Sequence, residues 1–203
     1  KKQEIDALLS EAMNNLTFQE REEQQEVLHG VAKDIAEEAS FIEKALRELD
    51  AHIIRKKAGT VYEIAERMNP AYVHARAFRV MFLRANRYDA ETSAKQMMKF
   101  FEVKQQLFGN GKLLAKDITI DDLDEDDREA LKWGGFQLAG RDSSNRQIMV
   151  AMPGLRNLRN LQVQNELRAR FFTAMNALSS EQTHQTKGVV TILYAVGNFK
   201  DRS

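Results

Sequence analysis

The sequence predicts a mixed α+β or α/β fold, in which an N-terminal helical bundle precedes the first βαβ portion of a mixed sheet. One-sided apolar stripes at helical spacing fill the first two-thirds of the chain. Two strand-like segments then flank a turn, and an uncharged run, residues 189–196, follows a further helix. The 203 residues are 43% hydrophobic and 30% charged, which is the composition of a globular protein.

Helix starts are predicted by three capping-box sequences. In a capping box, a hydroxyl accepts a hydrogen bond from an amide three residues on, and a glutamate reaches back to the first amide. The three pairs are Thr17 with Glu20, Ser40 with Glu43, and Thr60 with Glu63. We therefore expect helices to begin near residues 17, 40 and 60.

Two more helices are predicted after Pro70, which suits the first position of a helix. Asp89 is placed to cap the second of them, which should end at the glycines flanking Asn110. The first should run from about residue 71 to 86. Its expected buried residues are Val73, Ala77, Phe78, Met81 and Phe82.

An acidic segment, residues 117–129, contains eight carboxylates and one basic residue, Arg128. A calcium loop needs alternating ligands around a glycine turn, and this segment has no glycine. Carboxylates at the starts of two short helices, with Thr119 as one cap, explain the pattern better. No metal site is therefore predicted.

The strands come next. Residues 136–138 and 147–152 flank a turn-rich segment, which predicts a hairpin whose second strand is buried on both faces. A helix should follow over about residues 158–178. Its aligned side chains are expected to be Leu161, Asn165, Leu167, Phe171, Met175 and Leu178.

The uncharged run at residues 189–196 is predicted to be a strand in the interior of the sheet, parallel to the strand before the helix. A parallel sheet needs helices on both faces and usually more strands. The chain ends at Ser203, soon after this run. We therefore expect the C-terminal half-domain to be truncated.

Several function classes find no support in the residues. The chain has no cysteine, four scattered histidines, and none of the GxSxG, P-loop or GxGxxG motifs, so neither an enzyme nor a cofactor is predicted. Thirty basic residues balance thirty acidic ones, which gives no electrostatic reason to expect nucleic acid as a partner. No apolar run approaches the roughly 18 residues of a membrane-spanning helix. We expect a cytoplasmic protein.

Three segments resemble motifs of the CRAL-TRIO family of lipid-binding proteins. Residues 77–94 resemble the LLRFLRARKFDVEKA signature of its N-terminal helical region, residues 140–146 are similar to its GxDxxGRP turn, and residues 188–192 look like its GVVVIxD strand. Asn145 and Gln147 stand where the family often has Gly and Pro, and Tyr194 replaces a common Asp. The residues that carry the first two motifs are Phe82, Leu83, Arg84, Tyr88, Asp89, Gly140, Arg141 and Asp142.

The resemblance implies three regions and a ligand. An N-terminal helical extension at 1–58 would precede the CRAL-TRIO N-terminal helical region at 59–115 and the truncated start of the lipid-binding domain at 116–203. A lipid would lie between a sheet floor and a mobile helix. Because strands supply the floor, we expect Val150, Ile192 and Tyr194 to contribute to it.

The predicted function of the parent protein is to bind, and to transfer, a small hydrophobic lipid such as a phospholipid or phosphoinositide. Residues 1–203 alone are not expected to retain lipid well. Transient contact with a membrane surface and peripheral membrane association follow from the same resemblance. The alternative is a helical protein–protein interaction module without lipid cargo, whose partner docks on the charged N-terminal helices at residues 18–57.

Overall fold

The structure is a computed structural model that describes residues 17, 35–152, 162–180 and 182–194. The chain divides into two compact units, Lys1–Asp34 and Ile35–Ser203, and the description below concerns the second. The capping pair predicted at Thr17 and Glu20 lies outside the described residues, because Glu20 is not among them.

The predicted α+β fold is confirmed: helices come first and a small mixed sheet follows. The helices of the first part are α1 (Ala39–Lys56), α2 (Val61–Met68), α3 (Pro70–Val73), α4 (Arg76–Ala85) and α5 (Ala90–Phe108). Two 3-10 turns, Lys112–Ala115 and Ile120–Asp122, lead to α6 (Glu125–Trp133). The remaining elements are β1 (Phe136–Arg141), β2 (Gln147–Ala151), α7 (Val163–Ser180), α8 (Gln182–Lys187) and β3 (Val189–Leu193).

The hydrophobic core is centred on α5, whose apolar residues recur at helical spacing. Ala94, Met97 and Phe101 are fully buried there, among side chains from α1, α2 and α4. The ring of Phe101 meets Tyr62 edge-on at 5.5 Å between ring centroids, which is a preferred aromatic geometry. Met175 of α7 packs against the same core and so links the crossover helix to the helical part.

Two of the predicted capping boxes do not form. Helix α1 begins at Ala39, after Glu38 in extended conformation, so that Ser40 lies inside the helix instead of before it. At α2, Glu63 accepts from the amide of Gly59 at 2.8 Å, one residue earlier than predicted. The Thr60 hydroxyl donates backwards to a backbone carbonyl instead of accepting from the helix. The sequence pattern was right about where these helices lie but wrong about their caps.

The acidic segment forms the two helix starts predicted for it. Thr119 and Asp122 make a reciprocal capping box at the second 3-10 turn. Asp124 and Asp127 make another at the start of α6, where the Asp124 side chain accepts from the Asp127 amide at 2.8 Å. Carboxylates near exposed helix amides are stabilised by the helix dipole.

The helix predicted over residues 71–86 is divided in two. Pro70 takes the first position of α3, as predicted, and Asn69 caps it, but the helix ends at Val73. Ala75 then takes a non-helical conformation before α4 begins. The break changes which residues face the core: Ala77 is exposed, contrary to the prediction. Val73, Met81 and Phe82 are buried as predicted, Phe78 is half-buried, and Val80 and Leu83 are buried in addition.

The sheet has the predicted topology. Strands β1 and β2 form an antiparallel hairpin, and β2 pairs with β3 in parallel, with the order β1-β2-β3. An irregularity in the hairpin register lies between Leu138 and Arg141, where Gly140 has a φ of 77°. That backbone conformation is open to glycine and costly for most other residues.

The predicted burial of the strands is wrong. Strand β3 lies at an edge of the described sheet and is exposed from Thr191 to Leu193, while β2 is half-buried beyond Gln147. The sequence showed an uncharged strand but not its place in the strand order. A strand that pairs on one side only can remain exposed however apolar it is.

Helix α7 buries part of the side predicted for it: Asn165 is buried, and Met175 and Leu178 pack against the core. Leu161 lies outside the described residues, and Leu167 is 42% exposed. The buried positions of α7 include Asn165, Ala169 and Ala177. A buried hydrogen bond of 2.8 Å from Asn165 to Asp127 holds α7 against α6. An apolar pattern alone does not report this polar contact.

Candidate lipid-binding sheet face

The three predicted floor residues lie side by side on one face of the sheet. Val150 is directly opposite Ile192 in the parallel pair, and Tyr194 lies two residues beyond Ile192. Residues two apart in a strand point to the same side. Ile192 is 47% exposed and Tyr194 is 58% exposed, whereas Val150 is half-buried. The structure therefore brings the three residues together, on an open surface.

This surface is apolar along both parallel strands. Ile148 is opposite Val190 in the register, so both side chains share the face of Val150. We call the side of the sheet that carries these residues the floor face. On β2 and β3 it carries Ile148, Val150, Val190, Ile192 and Tyr194, and on β1 it carries Gln137, which is opposite Val150.

Helix α7 packs on the other side of the sheet. Phe136 of β1 lies beside Ala169 and Arg170 of α7 around a small cavity. In the hairpin register Phe136 is opposite Ala151, so it points away from the floor face. The crossover helix thus contacts this second face at Phe136, while Leu138 and Leu193 on the same face stay exposed.

The segment that resembles the first CRAL-TRIO motif builds the turn between α4 and α5. Leu83 is fully buried and Phe82 is 8% exposed. Tyr88, with a φ of 65°, donates its amide to the Leu83 carbonyl at 2.7 Å and packs its ring edge-on against Phe41. Asp89 caps α5 by accepting from the Thr92 amide at 2.6 Å, as predicted. Hydrogen bonds from the side chain and the amide of Thr92 lower the pKa of Asp89.

Arg84 has a role that its sequence position did not reveal. Its guanidinium makes two hydrogen bonds to the Glu37 carboxylate, of 2.8 and 2.6 Å, and a third to Gln185 at 2.9 Å. Both partners of the ion pair are largely buried, at 15% side-chain exposure. Hydrogen bonding from Arg84 lowers the pKa of Glu37. A bidentate geometry of this kind is specific to arginine.

The second family motif forms the hairpin turn. The Asp142 carboxylate accepts from the amides of Ser144 and Arg146, at 3.0 and 2.8 Å, and from the Arg146 side chain at 2.6 Å. The Arg146 amide is the main cause of the lowered pKa of Asp142. Arg141 donates to the Asn145 side chain at 3.0 Å. All these bonds fix the turn.

The departures from the family pattern fit the local geometry. Asn145 has a φ of 63°, a left-handed conformation that glycine and asparagine tolerate best. The Gln147 side chain donates to the Gly140 carbonyl at 2.8 Å, across the hairpin, which proline could not do. The Gln147 side chain thus adds a hydrogen bond across the turn.

The motif residues support the fold, and the floor face supplies apolar contact instead of reacting groups. Over the part of the chain that the structure describes, no group of His, Cys, Asp and Glu side chains has the arrangement of a metal site. None of the helices in that part combines the length and apolar character needed to cross a membrane.

Comparison of the chain with models of protein families, with curated proteins and with solved structures finds no match.

Proposed function

We propose that the protein binds a small hydrophobic lipid, such as a phospholipid or phosphoinositide, on the floor face, as part of a CRAL-TRIO-type module. The observation that carries the proposal is the joint exposure of Ile192 and Tyr194 beside Val150 on an apolar face. Exposed apolar patches on folded proteins often mark binding sites. Each methylene group that such a surface removes from water contributes about 0.8 kcal/mol. Transfer would involve transient contact with a membrane surface.

An open floor face predicts weak retention by residues 1–203. A ligand that lies on one surface keeps its other side in water, so much of its apolar area stays hydrated. Titration of the chain with a fluorescent phosphatidylcholine should therefore give weak, saturable binding. Tight binding would contradict the open-face account, and no binding at all would contradict the proposed function for this chain.

Adjacent residues of β3 provide a matched pair of variants. Ile192→Glu places a charge on the floor face, and Leu193→Glu places the same charge on the opposite face, where Leu193 is 66% exposed. Loss of one large apolar contact, about 1.5–3 kcal/mol, should weaken lipid binding roughly 10- to 100-fold in Ile192→Glu. Leu193→Glu should bind like the unmodified chain. Equal binding by both variants, each checked for folding by circular dichroism, would rule out the floor face.

A further inference from the structure

A cleft separate from the floor face lies between α5, α7 and the segment around the second 3-10 turn. Its volume is about 400 Å³, within the roughly 300–1,000 Å³ usual for sites of small molecules. Val150, Ile192 and Tyr194 are not among the residues that line it. The cleft is formed by helices and by the acidic segment, and the family motifs do not contribute to it.

One wall of the cleft is apolar and largely aromatic. Phe100 of α5 and Phe171 of α7 face each other there, with ring centroids 5.6 Å apart. Phe172 and Met175 extend this wall along α7. All four side chains are partly accessible instead of sealed in the core. Such a wall suits a hydrocarbon chain or ring.

A buried lysine lies against this wall. Lys104 is 1% exposed, and its Nζ lies over the rings of Tyr72 and Phe100, at 4.8 and 5.5 Å from their centroids. Its ammonium donates to the Tyr72 hydroxyl at 3.2 Å and to the Lys116 carbonyl. Both acceptors are uncharged. Among the described residues lining the cleft, Lys104 is the one cation.

The charge of Lys104 is poorly compensated where it lies. Burial lowers its pKa to about 8, although Asp117 and Asp122 raise it from a distance and Lys116 lowers it further. Lys116 and Asp122 are already paired with each other at 2.8 Å. Burial raises the pKa of partly buried Tyr72, and the charge of Asp117 and its hydrogen bond with Tyr72 raise it further. The Asp117 carboxylate is therefore engaged by Tyr72 and not by Lys104, and it is exposed at the cleft, where water screens its charge.

A purely architectural role explains only part of this arrangement. The bond from Lys104 to the Lys116 carbonyl joins α5 to the following segment, and a neutral donor could make it without the cost of burying a charge. Buried cations are normally paired with an anion. An anionic group in the cleft would supply that partner.

We propose that this cleft binds a small amphipathic monocarboxylate, with its carboxylate paired to Lys104 and its apolar end against the wall that Phe100 and Phe171 form. The acid would meet one buried cation and an aromatic wall. An alcohol of the same length would gain the apolar contacts alone. The site does not depend on lipid binding at the floor face.

Decanoate and decanol provide the test, because they share a chain and differ in charge. Calorimetric titration of residues 1–203 at pH 7 should show decanoate bound at least about tenfold more tightly than decanol. Lys104→Met should remove that preference and leave decanol unaffected. Equal affinities in the unmodified chain would overturn the proposal, since they would indicate an apolar cavity without anion recognition.

A second variant tests the site without changing the buried lysine. Ile120→Glu puts a negative charge beside the cleft at a residue that is 44% exposed, and it should weaken decanoate binding severalfold. Ile54→Glu, a remote change at a 67% exposed residue of α1, should have no effect. The same loss in both variants would contradict the proposed location. Ile192→Glu should also leave decanoate binding intact, which separates this site from the floor face.

The pH dependence gives an independent readout. Lys104 is protonated below its pKa of about 8, and the proposed pairing requires the protonated form. Decanoate affinity should therefore fall as the pH rises through about 8, while decanol affinity stays constant. When decanoate binds near pH 8, Lys104 should also take up a proton. The measured heat of binding should therefore depend on the ionisation enthalpy of the buffer. A decanoate affinity unchanged between pH 7 and 9 would overturn the assignment to Lys104.

Discussion

At the residue scale, Arg84 shows how a family-like position can hold a fold together. A guanidinium can bind a carboxylate through two parallel hydrogen bonds and still donate elsewhere. Arg84 uses this capacity on Glu37, before α1, and on Gln185 of α8. It therefore joins three segments that are far apart in sequence.

Arg84→Met is predicted to lower the free energy of unfolding by about 2 kcal/mol, because it removes two charge-assisted hydrogen bonds from a largely buried carboxylate. Arg76→Met is the matched control. The ion pair of Arg76 with Glu43 is about half exposed, so its loss should cost no more than about 0.5 kcal/mol. Urea denaturation of the two variants measures the difference. Equal losses of unfolding free energy in the two variants would contradict the role assigned to Arg84.

The same pair predicts a dependence of stability on pH. Arg84 holds the pKa of Glu37 below its ordinary value of 4.5, so ionised Glu37 favours the folded state. This contribution is complete well above pH 4.5 and is lost as the pH falls through the lowered pKa. The stability difference between the unmodified chain and Glu37→Gln, measured by urea denaturation, should therefore shrink as the pH decreases from 7 to 3. A difference that grows over this range would refute the prediction.

At the element scale, the contact between α6 and α7 depends on polar groups. Asp127 is 1% exposed and accepts from Asn165 at 2.8 Å, while Arg168 lies 3.6 Å away. Asp127 also takes part in the capping box of α6. One carboxylate thus serves both the start of a helix and its packing.

Asn165→Ala is predicted to destabilise the protein by about 1–3 kcal/mol, because the buried Asp127 loses a hydrogen-bond donor. Asn176→Ala, at an exposed position of the same helix, should change the stability by less than about 0.5 kcal/mol. Thermal unfolding followed by circular dichroism compares the two. A similar change of melting temperature in both variants would indicate that helix propensity, and not the hydrogen bond to Asp127, determines the loss of stability.

At the scale of the whole molecule, the apolar groups are unevenly distributed. The helical part has a continuous core around α5, whereas the sheet has three strands among the described residues and an exposed edge at β3. Regions with few buried contacts open at lower free energy than a core does. The two parts should therefore differ in local stability.

Amide hydrogen exchange should reveal that difference. The amides around Met97 and Phe101, which are fully buried, should exchange most slowly. The amides of β3 should exchange faster than those of β2, which pairs with strands on both sides. Equal protection in β3 and α5 would show that the exposed strand is far more stable than its contacts indicate.

Local patterns in the sequence predicted the elements well and their three-dimensional surroundings less well. The Asp89 cap, the hairpin and the parallel pairing followed from spacing and turn residues. The exposure of Ile192 did not, because strand order is a long-range property. The cleft at Lys104 was also missed, since a lysine on an apolar helix face gives no sign of burial until its neighbours are known.

The large sequence separation between Arg84 and its two partners has a consequence for folding during synthesis at the ribosome. Its two partners are 47 residues before it and 101 residues after it. The emerging chain can close the bond to Glu37 as soon as α4 is released, together with the early helices. The bond to Gln185 must wait until the segment that contains α8 has also left the exit tunnel. Arg84 can therefore pair with Glu37 during translation, before Gln185 has been synthesised.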